Sequence, residues 1–164
     1  MTSTHQYRPV SPIGFSPSRA TSDTASLLLE KIREWLQAAS KTNSLHGEAI
    51  TELEDAFLDC RVENWDGYGA CPVEDAAFIR ARALLTCLLV RFPAPTATAT
   101  PRGSLTLEWI VGSKRRFIVS IDGEEQIAFA GIFGSETVQG VASYVQDVPK
   151  EVVRHLQRLF YFNT

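Results

Sequence analysis

The residues with the chemistry to act on a ligand fall in a few places. Asp66 and Glu108 are the carboxylates that lie in or beside aromatic-rich stretches, Glu63-Asn64-Trp65-Asp66-Gly67-Tyr68-Gly69-Ala70-Cys71 and Leu107-Glu108-Trp109. Carboxylates in such settings can lose solvation, which is how catalytic acids and bases obtain shifted pKa values. Cys71 closes the first stretch just ahead of an expected helix, where a thiolate is favoured. A nucleophilic cysteine also needs a base in reach, and His5, His46 and His155 all lie far from it along the chain. No group of residues has metal-ligand spacing, and there is no phosphate loop, dinucleotide fingerprint or nucleophile elbow. Gly131-Ile132-Phe133-Gly134 is not a nucleotide loop. The sequence therefore gives no catalytic residue, no metal ligand and no cofactor.

Binding residues are easier to nominate. The Asn64–Ala70 stretch packs two aromatics, two glycines and an aspartate between two helical patterns. One reading is a structural corner, in which Trp65 plugs the core, Asp66 caps a turn and the glycines supply positive φ. The other is a ligand loop, with Trp65 and Tyr68 as flat contacts and Asp66 as an acceptor. Trp65, Asp66, Tyr68 and Glu108 are the candidates here. Lys114-Arg115-Arg116 falls at a hairpin, where charge solvates and protects a sheet edge. Arg115 and Arg116 are also candidates for phosphate contact, with Arg102 nearby. Lys150, Arg154 and Arg158 recur at i, i+4 and i+8, one basic stripe that would join the hairpin if the two met in space. Glu48, Glu52, Glu54, Asp55 and Asp59 form an acidic helix face, a solvated surface or a docking site for a basic partner.

These residues need a scaffold. The 164 residues fit one domain, long enough to bury a core without disulfide or metal. A net charge of −3 lacks the broad basic footprint of a general nucleic-acid binder. Cys60, Cys71 and Cys87 are odd in number and form no C-x-x-C pair, which fits a reducing, cytoplasmic setting. No stretch reads as a signal peptide, and the longest apolar run, Ala83–Val90, is too short to span a membrane.

Residues 1–22, with three prolines, read as a flexible or loosely docked tail, although Tyr7, Val10, Ile13 and Phe15 could dock. Residues 23–164 read as a single α+β domain. A first amphipathic helix starts at Ser22 or Asp23 and ends near Lys41–Asn43; a second runs from about Leu45 to Cys60. A third starts at Pro72 or Val73, with Pro72 in its first turn, and is stopped by Pro93 and Pro95. Its apolar girth makes it the most buried helix, and Cys60 and Cys87 are expected on apolar faces. The period then changes to two. Thr96–Thr100 reads as a short edge strand, followed by strands around Leu105–Trp109, Phe117–Ile121 and Gln126–Ala130. Asp122-Gly123 is expected to turn through positive φ. Val138–Val145 reads equally as strand or helix, and a closing helix spans about Pro149–Phe162. The expected architecture is a two-layer antiparallel meander of three to four strands with about four helices.

Asn64-Trp65-Asp66-Gly67-Tyr68-Gly69-Ala70, then Pro72-Val73 and, after an apolar helix, Leu107-Glu108-Trp109, resembles a family of small uncharacterised bacterial proteins with an N-W-D-G-Y-G-A-x-P-V motif and an L-E-W strand. The resemblance covers about residues 60–131. It implies no catalytic residue and no cofactor. It does imply a bacterial protein, found also on mobile elements, that works beside a partner. The leading expectation is thus a non-catalytic protein-binding module, regulatory or antitoxin/immunity-like, acting on a partner protein or through self-association, with no membrane contact. The alternatives are a small hydrolase-like enzyme around Asp66 and Glu108, and a weak nucleic-acid binder using the basic hairpin and the C-terminal helix.

Overall fold

Alternating apolar residues with short turns between them build an antiparallel meander. The computed structural model describes residues 19–161, with side chains described from residue 43 onward and at a few earlier positions. Residues 1–18 of the expected tail, Tyr7, Val10, Ile13 and Phe15 among them, lie outside the described residues. The elements run α1 (Arg19–Cys60), α2 (Asp75–Leu89), β1 (Thr96–Ala99), β2 (Leu105–Val111), β3 (Arg115–Ile121), β4 (Gln126–Phe133), β5 (Glu136–Ser143) and α3 (Lys150–Phe160). The five strands lie in sequence order, each antiparallel to the next.

The chain divides into residues 1–40 and residues 41–164. In the first unit the leading part of α1 carries a Lys31–Glu34 ion pair at 3.6 Å, and Leu27, Ile32 and Leu36 are exposed. In the second unit the register puts Leu105, Leu107 and Trp109 on one face with Phe117, Val119, Ile121 and Ile127, all buried. α2 packs on β2 and β3, and α3 on β3 and β4. Leu53 and Phe57 of α1, Leu84, Leu85 and Leu88 of α2, and Val152, Leu156 and Leu159 of α3 complete this core. Trp109 keeps its indole N–H satisfied by donating to the Pro93 carbonyl at 2.9 Å. The helices thus cover one face of the sheet, and the fold is α+β.

Several local expectations need correction. The sheet has five strands rather than three to four, because the ambiguous stretch pairs with β4 as β5. Helix is continuous from Arg19 to Cys60, so neither a start at Ser22–Asp23 nor a break at Lys41–Asn43 occurs. Those residues are polar but include no proline to remove a helix hydrogen bond. α2 begins at Asp75, not at Pro72. Pro72 and Val73 lie ahead of the helix, and the Val73 N–H donates to the Cys60 carbonyl at 2.9 Å. Glu74 is the N-cap, at φ −77° and ψ 150°. Cys60 is buried as expected, but Cys87 is exposed. Neither Asp122 nor Gly123 has positive φ. Their loop is four residues long, and the Asp122 carboxylate accepts from the Glu124 N–H at 3.0 Å.

Candidate functional site

The corner between α1 and α2 is built by its own side chains. Asn64 takes the left-handed conformation at φ 59°, which asparagine tolerates better than most residues. Its N–H donates to the Ala70 carbonyl at 2.8 Å, and its Oδ1 accepts from the Gly69 N–H at 2.7 Å. Asp66 Oδ1 accepts from the Tyr68 and Ala70 N–H groups at 2.8 and 3.1 Å. Gly67 and Gly69, at φ 76° and 93°, allow the chain to fold round these acceptors. Trp65 is half-buried against the core and donates from Nε1 to the Cys71 carbonyl at 3.1 Å. The Cys71 N–H donates to the Pro101 carbonyl at 2.9 Å, tying the corner to the β1–β2 turn. Tyr68 projects from this tied loop, 95% exposed.

Glu108 is placed elsewhere. It lies on the sheet face away from the helices and pairs with Arg116, Nε to Oε1, at 3.0 Å. No hydrogen bond or ion pair joins it to Asp66 among the described residues. The two halves of the expected basic surface do meet: Arg115 donates to the Arg158 carbonyl. The Arg158 guanidinium is in turn held by both oxygens of Glu136 and lies 4.5 Å from the Phe133 ring centroid. The hydrogen bonds and charge of Arg158 hold the Glu136 carboxyl below its ordinary range. Two of the candidate cations, Arg116 and Arg158, are therefore paired with carboxylates, while Lys114, Lys150 and Arg154 stand exposed. Part of the acidic helix face is likewise used locally. Glu54 pairs with Arg82 at 3.3 Å, and Glu52 accepts from the Ala97 N–H.

Three features of the site region escaped the sequence reading. His155 is buried against the rings of Phe117, Phe129 and Phe133, at 5.4–5.9 Å between centroids. Burial is the main cause that pushes its pKa down; Arg154 and Arg158 add to it, and Glu151 and Glu136 oppose it. A trough of about 410 Å³ runs along the exposed sheet face, floored by Ala128 and Ala130 and flanked by Ile118 and Val141. The signal for it was the pair of alanines at alternate positions of β4. A wider hollow of about 680 Å³ lies between the end of α2 and α3, with Leu88, Phe92 and Val153 inside and Arg91, Lys150 and Arg154 around it. Further hollows of about 600 and 330 Å³ lie beside Ile50 and Phe78 and beside His46 and Phe92. Asp66, Tyr68 and Glu108 line none of these four. Among the described residues no group of three or more His, Cys, Asp and Glu could hold a metal ion. None of the described helices is long and apolar enough to cross a membrane. Comparison with protein-family models, with curated proteins and with solved structures found no match to this chain.

Proposed function

We propose that this chain is a non-catalytic protein-binding module, regulatory or antitoxin/immunity-like, whose contact surface centres on Tyr68. One observation carries the reading. Every other residue from Asn64 to Ala70 is committed to the structure of the corner itself. Asn64 and Asp66 accept backbone hydrogen bonds, Trp65 packs on the core, Gly67 and Gly69 take positive φ, and Ala70 is buried. The Tyr68 side chain has no such role, and it is held out in solvent on a loop whose backbone is already fixed. Tyrosine is a frequent interface anchor, since it covers a large area with few rotatable bonds. A fixed loop loses little further entropy on binding. The resemblance to small bacterial proteins of mobile elements, together with cysteines that lack a pairing pattern, supports a cytoplasmic setting beside a cognate partner.

The test is Tyr68→Ala, with tagged chains cross-linked and recovered from the native host. The variant should melt within about 2 °C of the wild type, because no packing is lost. It should also lose a specific partner that the wild type retains. Recovery of the same partner with equal yield would remove Tyr68 from the surface.

A second reading has its own observation. The Arg115–Arg158 contact joins the basic hairpin to the basic stripe of α3. Lys114, Lys150 and Arg154 would then contact phosphates, with binding that weakens steeply as salt rises. Fluorescence anisotropy with a duplex of about 20 base pairs tests this, and absence of binding at about 50 mM salt would dismiss it.

A further inference from the structure

The two edges of the sheet are treated differently. β1 is four residues long and lies between Pro95 and Pro101, and its Ala97 N–H is taken by the Glu52 carboxylate at 3.3 Å. Such devices keep an edge from pairing with another chain. β5 is eight residues long and has no proline, and no charged residue falls from Thr137 to Ser143. Its single charge, Glu136, is drawn to Arg158 at the strand's start. No side-chain cap like Glu52 is seen on β5 among the described residues. A strand of this kind is a template for further pairing.

We infer that β5 pairs with β5 of a second copy, antiparallel across a two-fold axis, so that two five-stranded sheets join into one. Charge favours a copy of this chain as the occupant. In an isologous pair each residue meets another from the same strand. Like charges facing one another would oppose this, and the strand offers none from Thr137 to Ser143. With Gly140 on the axis, Val141 lies beside Gln139 of the partner subunit, and Thr137 beside Ser143 of the partner subunit. The glycine at the middle of the strand is fixed by its own sheet. The space beside Gly140 is filled by the ring of Phe129, which a Cβ there would meet at 2.7 Å. Val141, 62% exposed, flanks the alanine-floored trough, and pairing would set the troughs of the two copies side by side on one face. This surface is distinct from the Tyr68 loop, and the inference stands without the binding role proposed there.

One strand pair is small beside the roughly 800 Å² per partner of a standard interface, so association in the micromolar range is expected. Sedimentation equilibrium on the full chain from about 2 to 200 µM should show the mass rising from 18.2 kDa to its double. Val141→Lys brings two ammonium groups close to the axis and should weaken dimerisation at least tenfold. Ile110→Lys is the control: Ile110 is also exposed on the same face, but on β2, away from β5. It should dimerise as the wild type does. Hydrogen exchange of the wild type at both ends of the concentration range should show added protection in residues 137–143 and none in β1, a readout that needs no variant. A wild type that stays monomeric at 200 µM overturns the inference. So does a Val141→Lys dimer of full strength, and so does an equal loss in Ile110→Lys, which would mean that the sheets stack by their faces.

Discussion

Asp66 and Tyr68 are two positions apart and do opposite work. Asp66 Oδ1 holds two backbone N–H groups. Removing it leaves the part-buried Ala70 N–H without its acceptor and the exposed Tyr68 N–H to water, so Asp66→Ala should cost about 1 kcal/mol. Asp66→Asn keeps an acceptor there and should recover most of that loss, as urea midpoints would show. Trp65→Ala should cost about 2 kcal/mol, below the 3–5 typical of a fully buried tryptophan, because part of its ring is in water. His155 offers a different prediction. Its pKa is lowered in the fold, mainly by burial among three phenylalanine rings, with Arg154 and Arg158 acting in the same sense. Above pH 6.5 both folded and unfolded chains hold it neutral. As pH falls through 6.5 the unfolded chain gains a proton that the folded chain resists, so stability falls until the lowered folded pKa is passed. His155→Phe keeps a ring against the other three and removes the proton site. Urea midpoints between pH 8 and pH 5 should then decline less in the variant, and an identical decline would assign the pH dependence to other groups.

At the scale of elements, the same corner depends on the turn beneath it. Gly103 has φ 82°, and a Cβ there would meet the Pro72 carbonyl oxygen at 2.7 Å. Both the conformation and the contact oppose Gly103→Ala, which should cost about 1–3 kcal/mol, read as a lowered midpoint with an unchanged m-value. Strands β1 to β4 were legible because Leu105, Leu107 and Trp109, then Phe117, Val119 and Ile121, alternate large apolar and polar residues. β5 was not, because its covered face is Val138, Gly140 and Ala142 while Val141 points outward, a spacing that fits a helix equally well. The break expected near Lys41–Asn43 is absent because local preference in a short polar stretch is a weak influence that surrounding structure overrides. The self-bonded corner was legible from its asparagine, aspartate and glycines. The meeting of Arg115 with Arg158 was not, because it links positions 43 apart through packing that no local pattern encodes. The Glu108–Arg116 pair was not read either, because it depends on the register of β2 against β3.

At the scale of the whole chain, the described core falls between Ala49 and Leu159, entirely within the unit of residues 41–164. That unit holds all five strands, α2, α3 and the end of α1 whose Leu53 and Phe57 reach the core. A chain that starts at Lys41 therefore keeps every residue of that core. It gives up the upstream turns of α1, so Lys41–Ser44 would become a new helix start. A frayed or poorly capped start costs about 1 kcal/mol, which for a unit of this size lowers the melting temperature by roughly 3–6 °C. The shortened chain should still unfold in one cooperative transition, with a calorimetric enthalpy of about 0.7 kcal/mol per residue. Equality of calorimetric and van't Hoff enthalpies is the check on cooperativity. A shallow, enthalpy-poor transition would show instead that residues 1–40 are needed to hold this core together, and the boundary at Ser40 would then not mark an independent folding unit.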